Sequence, residues 1–333
     1  MQALKIYQHG PASRLTAGEA PEPILGAGDV MVKIQAAAIN PSDVISAEGR
    51  FPDSPLPRIL GRDFAGIVVE GPKELMGKKI WGSGGDLGIS RDGSHAEFLA
   101  IPKSAVSVRP NNLSAELAAA VGVPFQTAWV ALVERGAVKS GEWVIISGAT
   151  GAVGSAAVQI AAALGANVIA LVRNKADEKR IDLSRIKGVA HTEDGDLAAT
   201  VERLTGARGA ELVLNGVGAA LFQSLVDAIA PEGRMVIYSV LAGRKVSVDL
   251  MDLYRKNVTI HGVNTASVDV VHGAKILDKL TPLFESGSIS PPGITQRFLL
   301  SMAAEAYQAI TFGKTILIPD KIFRNGSEIT SFA

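Results

Sequence analysis

Hydrophobic and polar positions follow one pattern in the first third of the chain and another in the middle. In roughly the first hundred residues, short runs such as residues 30–35 and 66–70 are separated by glycine and proline, and residues 96–101 end at Pro102. The alternation in 30–35 and the glycine and proline boundaries of the other runs are typical of strands. This region is therefore predicted to form antiparallel, barrel-like β structure with irregular loops.

The pattern changes near residue 114, where segments with helix-like and strand-like patterns begin to alternate. Ser114, followed by an alanine-rich run, predicts a capped helix, and a second helical stretch follows at residues 127–133. Such alternation is typical of a parallel sheet covered on both faces by helices. The strands are predicted at residues 143–147, 168–172, 212–214, 235–239 and 258–261, and the helices at 153–164, 196–205 and 221–229.

The last part of the chain is predicted to return to the first domain. Helices are expected around residues 274–284 and 303–310, and a short strand at 315–318 precedes Pro319.

The strongest chemical signal is the glycine turn, residues 147–154, which follows an apolar strand and precedes an apolar helix. A diphosphate needs backbone without Cβ atoms and the free N–H groups of a helix start. Ala149 stands where the fingerprint usually has its first glycine, so the turn is an AxGxxG variant. Its context favours a dinucleotide site over a merely structural turn. The predicted cofactor contacts here are Gly148, Ala149, Thr150, Gly151, Ala152, Val153 and Gly154.

The end of the next strand bears on the choice between NADH and NADPH. In many such folds a carboxylate about twenty positions beyond the glycines binds the ribose 2′-hydroxyl of NAD. Here the strand ends in Arg173, Asn174 and Lys175, with no carboxylate before Asp177. A guanidinium pairs well with a 2′-phosphate, so NADPH is the predicted cofactor, bound by these three residues. The alternative is that they are solvated charges at a helix start.

Composition narrows the chemistry further. The absence of cysteine excludes disulfides, thiolate nucleophiles and cysteine-ligated zinc. The 33 basic and 33 acidic residues cancel, so no nucleic-acid partner is expected. The uncharged segment 155–172 resembles a membrane helix in length, but the break at residues 165–167 favours a buried helix–turn–strand unit. We therefore expect a cytoplasmic protein with no membrane partner.

These motifs together resemble the medium-chain dehydrogenase/reductase superfamily, specifically its zinc-free quinone oxidoreductase and enoyl reductase branch. The matching stretches are residues 36–43, 57–66, 93–98, 118–129, the glycine turn, 215–218 and 313–314. The resemblance implies an α/β chain with a GroES-like, β-barrel-type catalytic domain in residues 1–122 and 265–333. It also implies a Rossmann NADP(H)-binding domain, a doubly wound parallel sheet, in residues 123–264. A homodimer is expected through pairing of the last Rossmann strands, near residues 258–261.

The resemblance also indicates where zinc would bind. In zinc alcohol dehydrogenases a cysteine occupies the position of Asn40 and a histidine that of Arg62, so no metal is expected here. Asn40 becomes a candidate donor to a substrate carbonyl or to the cofactor, with a turn residue as the alternative. Arg62 is suited to stabilising an enolate oxygen or anchoring an acidic substrate. The alternative for Arg62 is an internal ion pair with Asp43 or Asp63.

Other positions match those that line the cofactor pocket in this family, namely Thr127, His191, Asn215, Val217, Val240 and Lys314. The alternatives are strand-end roles for Asn215 and Val217, a structural role for His191 and a surface position for Lys314. One departure from the family is clear: the enoyl reductases carry a tyrosine proton donor at the position of Phe51. Phenylalanine has no proton to donate.

The resemblance and these residues together imply a small-molecule electrophilic substrate and a zinc-independent, NADPH-dependent oxidoreductase, which reduces a quinone or an α,β-unsaturated carbonyl by hydride transfer. Reduction of an enoyl thioester, such as a 2-enoyl-CoA, is the enzymatic alternative, supported by the Asn-Pro-Ser-Asp stretch and opposed by Phe51. A non-catalytic NADPH-binding redox sensor is an alternative of another class, because a fold does not by itself fix a function.

Overall fold

A computed structural model describes residues 1–51, 54–310, 313–320, 322–324 and 327–329 of the chain. The chain divides into two compact units. The first unit contains Met1–Val123, Thr265–Gly287 and the chain from Pro291 onward, and the second contains Pro124–Asn264 and Ser288–Ser290. Part of the predicted return segment, residues 265–333, lies outside the described residues.

Strands and α-helices are numbered in chain order. The strands are β1 (Gln2–Ala3), β2 (Lys5–Ile6), β3 (Gly18–Glu19), β4 (Asp29–Ile39), β5 (Arg58–Ile59), β6 (Asp63–Glu70), β7 (Lys79–Ser83), β8 (Phe98–Pro102), β9 (Ser107–Val108), β10 (Trp143–Ser147), β11 (Asn167–Val172), β12 (Gly188–His191), β13 (Ala210–Asn215), β14 (Ile229–Ile237), β15 (Thr259–Gly262), β16 (Ile294–Leu299), β17 (Lys314–Ile318), β18 (Ile322–Arg324) and β19 (Ser327–Ile329). The α-helices are α1 (Pro41–Ala47), α2 (Ala115–Trp129), α3 (Ala152–Ala163), α4 (Leu197–Thr205), α5 (Phe222–Asp227), α6 (Leu250–Lys256), α7 (Val270–Glu285) and α8 (Ala303–Gln308).

The second unit is built on a six-stranded parallel sheet in the order β12-β11-β10-β13-β14-β15. Its strands are nearly continuous apolar runs because a parallel sheet is covered by helices. Ile145, Ile169, Val213 and Met235 on adjacent strands form one buried cluster with Leu225 of α5. The order reverses between β10 and β13, which is the switch point of a Rossmann sheet. The predicted doubly wound parallel sheet is confirmed.

The first unit is built on a seven-stranded sheet in the order β16-β17-β4-β6-β7-β9, with β8 also paired to β4. All neighbours are antiparallel except β16 and β17. The register of β4 against β6 shifts at two places, as at a β-bulge, and bulges bend a strand. One end of β4 therefore pairs with β8 and the other with β17. The predicted β-rich, GroES-like domain is confirmed.

The tail returns to the first unit, as the hydrophobic pattern indicated. Val270, the first residue of α7, is buried in the same cluster as Phe64 and Ile80. Near the other end of α7, the rings of Phe284 and Trp81 meet edge to face with their centroids 5.7 Å apart. Further along the tail, β17 pairs with β4 with Thr315 opposite Ile39, which places residue 314 next to residue 40.

Two apolar stretches have the lengths expected of membrane helices. Segment 155–172 is the predicted helix–turn–strand unit, since α3 ends at Ala163, Gly165 has a φ of 81°, and β11 begins at Asn167. The two predicted helical stretches after residue 114 are one helix, α2 continued by a π-helical turn. This stretch, Ala115–Arg135, is long and apolar enough to cross a membrane, but 72% of its most apolar window is buried inside the protein.

Candidate functional site

The glycine turn connects β10 to α3 and requires glycine at two places. Gly148 has a φ of 64°, in the left-handed region that favours glycine. A Cβ on Gly154 would lie 2.1 Å from the Gly148 carbonyl oxygen, so a side chain would force the helix away from the strand. Gly151 caps α3, whose first amide groups have no intrahelical acceptor. Ala152 and Val153 lie in this first turn of α3, so the turn forms a backbone cradle for an anion.

A cavity of about 340 Å³ lies at the carboxyl ends of β10, β11 and β13. Gly148 and Thr150 of the glycine turn form one side of it, and Arg173 and Val217 contribute to the rest. Open α/β sheets bind their ligands outside the carboxyl ends of the strands at the switch point, and this cavity has that position. Ala149 is buried at the base of the turn.

Arg173 enters this cavity paired to a carboxylate. Its Nε lies 2.9 Å from Asp177 Oδ2, and its Nη2 lies 3.3 Å from Asp177 Oδ1. The Arg173 side chain is 69% exposed and that of Asp177 only 10%. The hydrogen bonds from Arg173 lower the pKa of the Asp177 carboxyl below its usual value. Asp177 was left outside the predicted site, although its position four residues after Arg173 suits a pair on a helical turn.

The side chain of Asn174 is engaged by local contacts, and its contact with a cofactor stays a prediction. Its side-chain oxygen accepts hydrogen bonds from the backbone N–H groups of Ala176 and Asp177, at 3.1 and 3.3 Å, and its Nδ2 donates to Glu193. It therefore caps the 3₁₀ turn Lys175–Arg180, as asparagine commonly does. Lys175 lies exposed in the first position of that turn, and its contact with the cofactor stays a prediction.

His191 does not offer a nitrogen to a phosphate. Its Nδ1 lies 2.8 Å from Asp194 Oδ2 and its Nε2 lies 2.7 Å from Glu178 Oε1. The Asp194 carboxylate is the main cause of a raised His191 pKa. Both ring nitrogens face carboxylates, which fits the structural alternative, and the cofactor contact of His191 stays a prediction.

Asn215, the last residue of β13, holds the loop that follows this strand. Its Oδ1 accepts hydrogen bonds from the N–H groups of Val217 and Gly218, at 3.1 and 2.8 Å, and its Nδ2 donates to the Gly218 carbonyl oxygen. The amide is thus used inside its own loop, which supports the strand-end alternative, while Val217 lines the cavity. Thr127 is buried on α2 and Val240 is 47% exposed after β14, and their contacts with a cofactor stay predictions.

Lys314 corrects the sequence-based expectation most clearly. It is only 3% exposed, so it is not a surface charge. Its Nζ lies 2.6 Å from Asn40 Oδ1 and 3.5 Å from Asp63 Oδ2 within the first unit. Burial lowers the pKa of Lys314, and the Asp63 and Asp43 carboxylates oppose that shift. The ammonium is therefore engaged by Asn40 and Asp63, so the surface position is wrong, and contact with a cofactor stays a prediction.

Asn40 joins β4 to α1, and both the oxygen and the nitrogen of its side-chain amide make hydrogen bonds. Its Oδ1 accepts from Lys314, while its Nδ2 donates to Asp63 Oδ2 at 2.8 Å. The other oxygen of Asp63 accepts the Val123 N–H at 2.9 Å. Gly122 makes room for this carboxylate, since a Cβ there would lie 2.2 Å from it. The sequence did not reveal this network, because its members are distant along the chain.

Arg62 is buried in the same region, with its guanidinium directed at internal acceptors. Nε donates to the Gly84 carbonyl oxygen, Nη1 to Ser42 Oγ and Nη2 to the Thr265 carbonyl oxygen, at 3.0 to 3.1 Å. Burial lowers the pKa of Arg62, and the charges of Asp43 and Asp63 counteract this. The geometry favours the internal alternative for Arg62, with two carbonyls and a hydroxyl as hydrogen-bond acceptors.

Asp43 completes this buried cluster. Its Oδ2 accepts the Asn40 N–H at 2.7 Å, which fixes the first turn of α1. Burial raises the pKa of Asp43 to about 7, although the Arg62 charge opposes the shift. In the part of the chain that the structure describes, no group of three or more His, Asp or Glu side chains is placed to hold a metal ion.

A six-stranded Rossmann sheet with a glycine turn at its switch point, in a chain whose other unit is a β-rich domain, defines the class of two-unit dinucleotide-dependent oxidoreductases. Residues 152–278 match the family described as zinc-binding dehydrogenase, and residues 26–111 match the alcohol dehydrogenase GroES-like domain. The chain belongs to the medium-chain dehydrogenase/reductase superfamily and to its quinone oxidoreductase branch.

Individual relatives agree with this assignment. A zinc-type alcohol dehydrogenase-like protein of Schizosaccharomyces pombe is 38% identical over 264 residues, which cover 78% of this chain and 77% of that protein. A quinone oxidoreductase-like protein 2 homolog of Nematostella vectensis is 29% identical, over 86% of this chain and 79% of its own length. The crystal structure of an NAD-dependent alcohol dehydrogenase has a TM-score of 0.84 and 29% identity, and the match covers 96% of this chain and 99% of that one.

Proposed function

We propose that this protein is a zinc-independent, NADPH-dependent reductase that transfers hydride to a quinone or an α,β-unsaturated carbonyl. The observation that carries the proposal is the cavity at the switch point, which has the glycine turn on one side and the exposed guanidinium of Arg173 on another. In NADPH, the diphosphate would bind at the glycine turn and the 2′-phosphate at Arg173.

The residues around the cavity suit this cofactor. Gly148, Gly151 and Gly154 keep Cβ atoms away from the path of a diphosphate, and the first amides of α3 face it. Arg173 offers a planar pair of donors, which matches a phosphate better than a ribose hydroxyl. When bound, the nicotinamide supplies the hydride, and the chain positions it and excludes water.

The buried charges around Asn40 support zinc independence. Arg62 and Lys314 already place two cations in a cluster with the carboxylates of Asp43 and Asp63. A divalent cation at Asn40 would be repelled by both cations, and the amide oxygen of Asn40 already accepts a hydrogen bond from Lys314. The zinc-type name of the yeast relative therefore does not transfer to this chain in the proposal.

Because the proposed mechanism uses no metal ion as a Lewis acid, its substrate must already be a good hydride acceptor. A metal ion polarises a carbonyl that is otherwise a poor hydride acceptor. Quinones and α,β-unsaturated carbonyls are already polarised, so they accept hydride with less assistance. Phe51, half-buried after α1, supplies no proton, which favours acceptors whose product is protonated by solvent.

The test follows oxidation of NADPH and NADH at 340 nm with ortho- and para-quinones, simple enones and crotonyl-CoA. We expect turnover of a quinone or enone with NADPH, unchanged after dialysis against a chelator. Turnover of crotonyl-CoA alone would replace the substrate class by an enoyl thioester. Tight NADPH binding without turnover of any acceptor would contradict the proposal in favour of a sensor.

The variant Arg173→Glu tests the proposed binding site of the 2′-phosphate. It puts a carboxylate where the 2′-phosphate is proposed to bind, so the KM for NADPH should rise at least about tenfold while the KM for NADH stays within about threefold. Arg208→Glu is the control, because Arg208 is also exposed, at 67%, and also pairs with a carboxylate, Glu211. Equal effects of the two substitutions would remove the assigned role of Arg173.

A further inference from the structure

The carboxylate of Asp177 occupies the donor face of Arg173 that a 2′-phosphate needs. Arg173 uses Nε and Nη2 toward Asp177, and these two groups form the fork that pairs with a phosphate or carboxylate in a bidentate manner. Both residues line the same cavity as the glycine turn. A phosphate and the Asp177 carboxylate therefore compete for one edge of one guanidinium.

The two members of this pair differ in their freedom to move. Asp177 is held, because its side chain is 10% exposed and its backbone N–H donates to Asn174 Oδ1. Arg173 is 69% exposed, so its side chain is the one that can turn toward a ligand. Arg180 stays near the carboxylate, with Nη1 3.7 Å from Asp177 Oδ1, and continues to compensate its charge when Arg173 leaves.

We infer that Asp177 is a specificity-determining residue for the cofactor, and that its carboxylate lowers the preference of this chain for the 2′-phosphorylated dinucleotide. The inference rests on the proposed function, since it assumes that Arg173 binds the 2′-phosphate. A 2′-phosphate that binds the Nε and Nη2 edge of Arg173 must displace Asp177 from it, whereas a ribose 2′-hydroxyl leaves the ion pair intact. The chain thus retains a measurable affinity for NADH, and Asp177 sets the ratio between the two cofactors.

The sign of the effect follows from charge. The phosphate carries about −1.5 to −2 charges at pH 7, so a neighbouring carboxylate opposes it, and a neutral amide of the same shape does not. Asp177→Asn also weakens the competing pair and leaves Arg173 available. Both consequences favour the 2′-phosphate and leave the unphosphorylated ligand almost unaffected.

The experiment measures binding of 2′,5′-ADP and 5′-AMP to the full chain by calorimetry, because these probes differ only in the 2′-phosphate and require no turnover. In Asp177→Asn the affinity ratio of 2′,5′-ADP to 5′-AMP should rise by about tenfold, an effect of the order that one nearby charge produces. The ratio of the NADP⁺ and NAD⁺ affinities should rise in the same direction.

Glu211→Gln is the matched control. Glu211 pairs with Arg208 across three residues and accepts the Trp143 N–H at the start of β10, the end of the sheet opposite the cavity. It should leave the ratio within twofold. In an Arg173→Gln background, Asp177→Asn should keep only the smaller part of its effect, which comes from direct repulsion between the carboxylate and the phosphate, because the competition requires both partners.

Each outcome decides the inference. An unchanged or lowered ratio in Asp177→Asn, with 5′-AMP still bound normally as evidence of an intact fold, overturns it and leaves the proposed function standing. An effect of undiminished size without Arg173 also overturns it, because the competition would then contribute nothing. Failure of the wild-type chain to bind either mononucleotide, NADP⁺ or NAD⁺ overturns the proposed function together with the inference.

Discussion

The hydrogen bond between Tyr307 and His95 assigns a protonation state in the core of the first unit. The Tyr307 hydroxyl lies 2.9 Å from His95 Nδ1, and His95 Nε2 lies 3.3 Å from the Ala38 carbonyl oxygen. A carbonyl only accepts, so Nε2 carries the ring proton and Nδ1 accepts from the tyrosine. Burial lowers the pKa of His95 to about 4, which keeps the ring neutral at physiological pH.

Removal of the tyrosine hydroxyl should therefore cost stability without touching the cavity of the second unit. Tyr307→Phe leaves Nδ1 buried without a donor, and we expect a loss of about 1–3 kcal/mol in the free energy of unfolding at pH 7.5, measured in urea. Tyr254→Phe, at a position 77% exposed, is the control and should change it by less than about 0.5 kcal/mol. A loss of similar size in both variants would refute the assigned hydrogen bond.

At the scale of elements, β15 leaves the parallel sheet with an apolar edge. It is the last strand in the sheet order, and Ile260 on it is 39% exposed. Leu250 and Tyr254 of the preceding helix α6 are 71% and 77% exposed. An exposed apolar edge strand is a template for pairing with another chain, and two copies related by a twofold axis satisfy it. These observations support the expected homodimer, which remains a proposal.

Ile260→Lys tests this edge, because a charge on an edge strand opposes pairing. We expect the mass measured by light scattering during gel filtration to fall from that of a dimer to that of a monomer at micromolar concentration. Val108→Lys is the control, since Val108 is 53% exposed on β9, the edge strand of the other sheet. A wild-type chain that is monomeric at all concentrations would contradict the homodimer.

Local pattern predicted most of the second unit and less of the first. The Rossmann strands were predictable because most are continuous apolar runs, but β12 was missed, and only Ala190 of its four residues is buried. Helix α1 was missed because Asn-Pro-Ser-Asp is also typical of a turn. Helix α6 was missed because it has no buried residue, so no apolar face marks it.

The residues of the candidate site also fall into two groups. Some lie in short segments that the sequence predicts, and others make contacts between distant parts of the chain. The glycine turn and Arg173 lie within short segments whose chemistry can be recognised from the sequence. The position of Lys314 depends on the pairing of β17 with β4, almost three hundred residues apart, which no local pattern specifies. The sequence shows that Asp177 lies near Arg173 along the chain. Only the distances between their atoms show that Asp177 can compete with a phosphate for Arg173.

At the scale of the whole molecule, Asp43 couples stability to pH. Its native pKa of about 7 lies above the unfolded value of 3.8, so its contribution to stability is present at low pH and is lost as pH rises through 7. His95 acts in the opposite sense: its native pKa lies below 6.5, so its contribution is lost as pH falls from 6.5 toward 4. The pH dependence of the free energy of unfolding contains both contributions, and a variant is needed to separate them.

Asp43→Asn separates them, because the amide keeps an acceptor for the Asn40 N–H and does not titrate. The difference in unfolding free energy, wild type minus variant, should grow by about 2–3 kcal/mol as pH falls from 8 to 5. Glu22→Gln, at an exposed position, should give a difference that is constant within about 0.5 kcal/mol. A constant difference for Asp43→Asn would show that its carboxyl is ionised throughout this range.

The pairing of β17 with β4 also sets the order in which the chain can fold on the ribosome. The second unit has almost all of its sequence, up to Asn264, before β17 is translated, while β4 still lacks the neighbour along its Ala37–Ile39 end. At about 5–20 residues per second, the roughly 275 residues between the paired segments mean that this end of β4 waits about 14–55 s for its partner. During this interval the nascent first unit exposes an unpaired strand edge, and a chaperone that binds extended chains would act at this stage of synthesis.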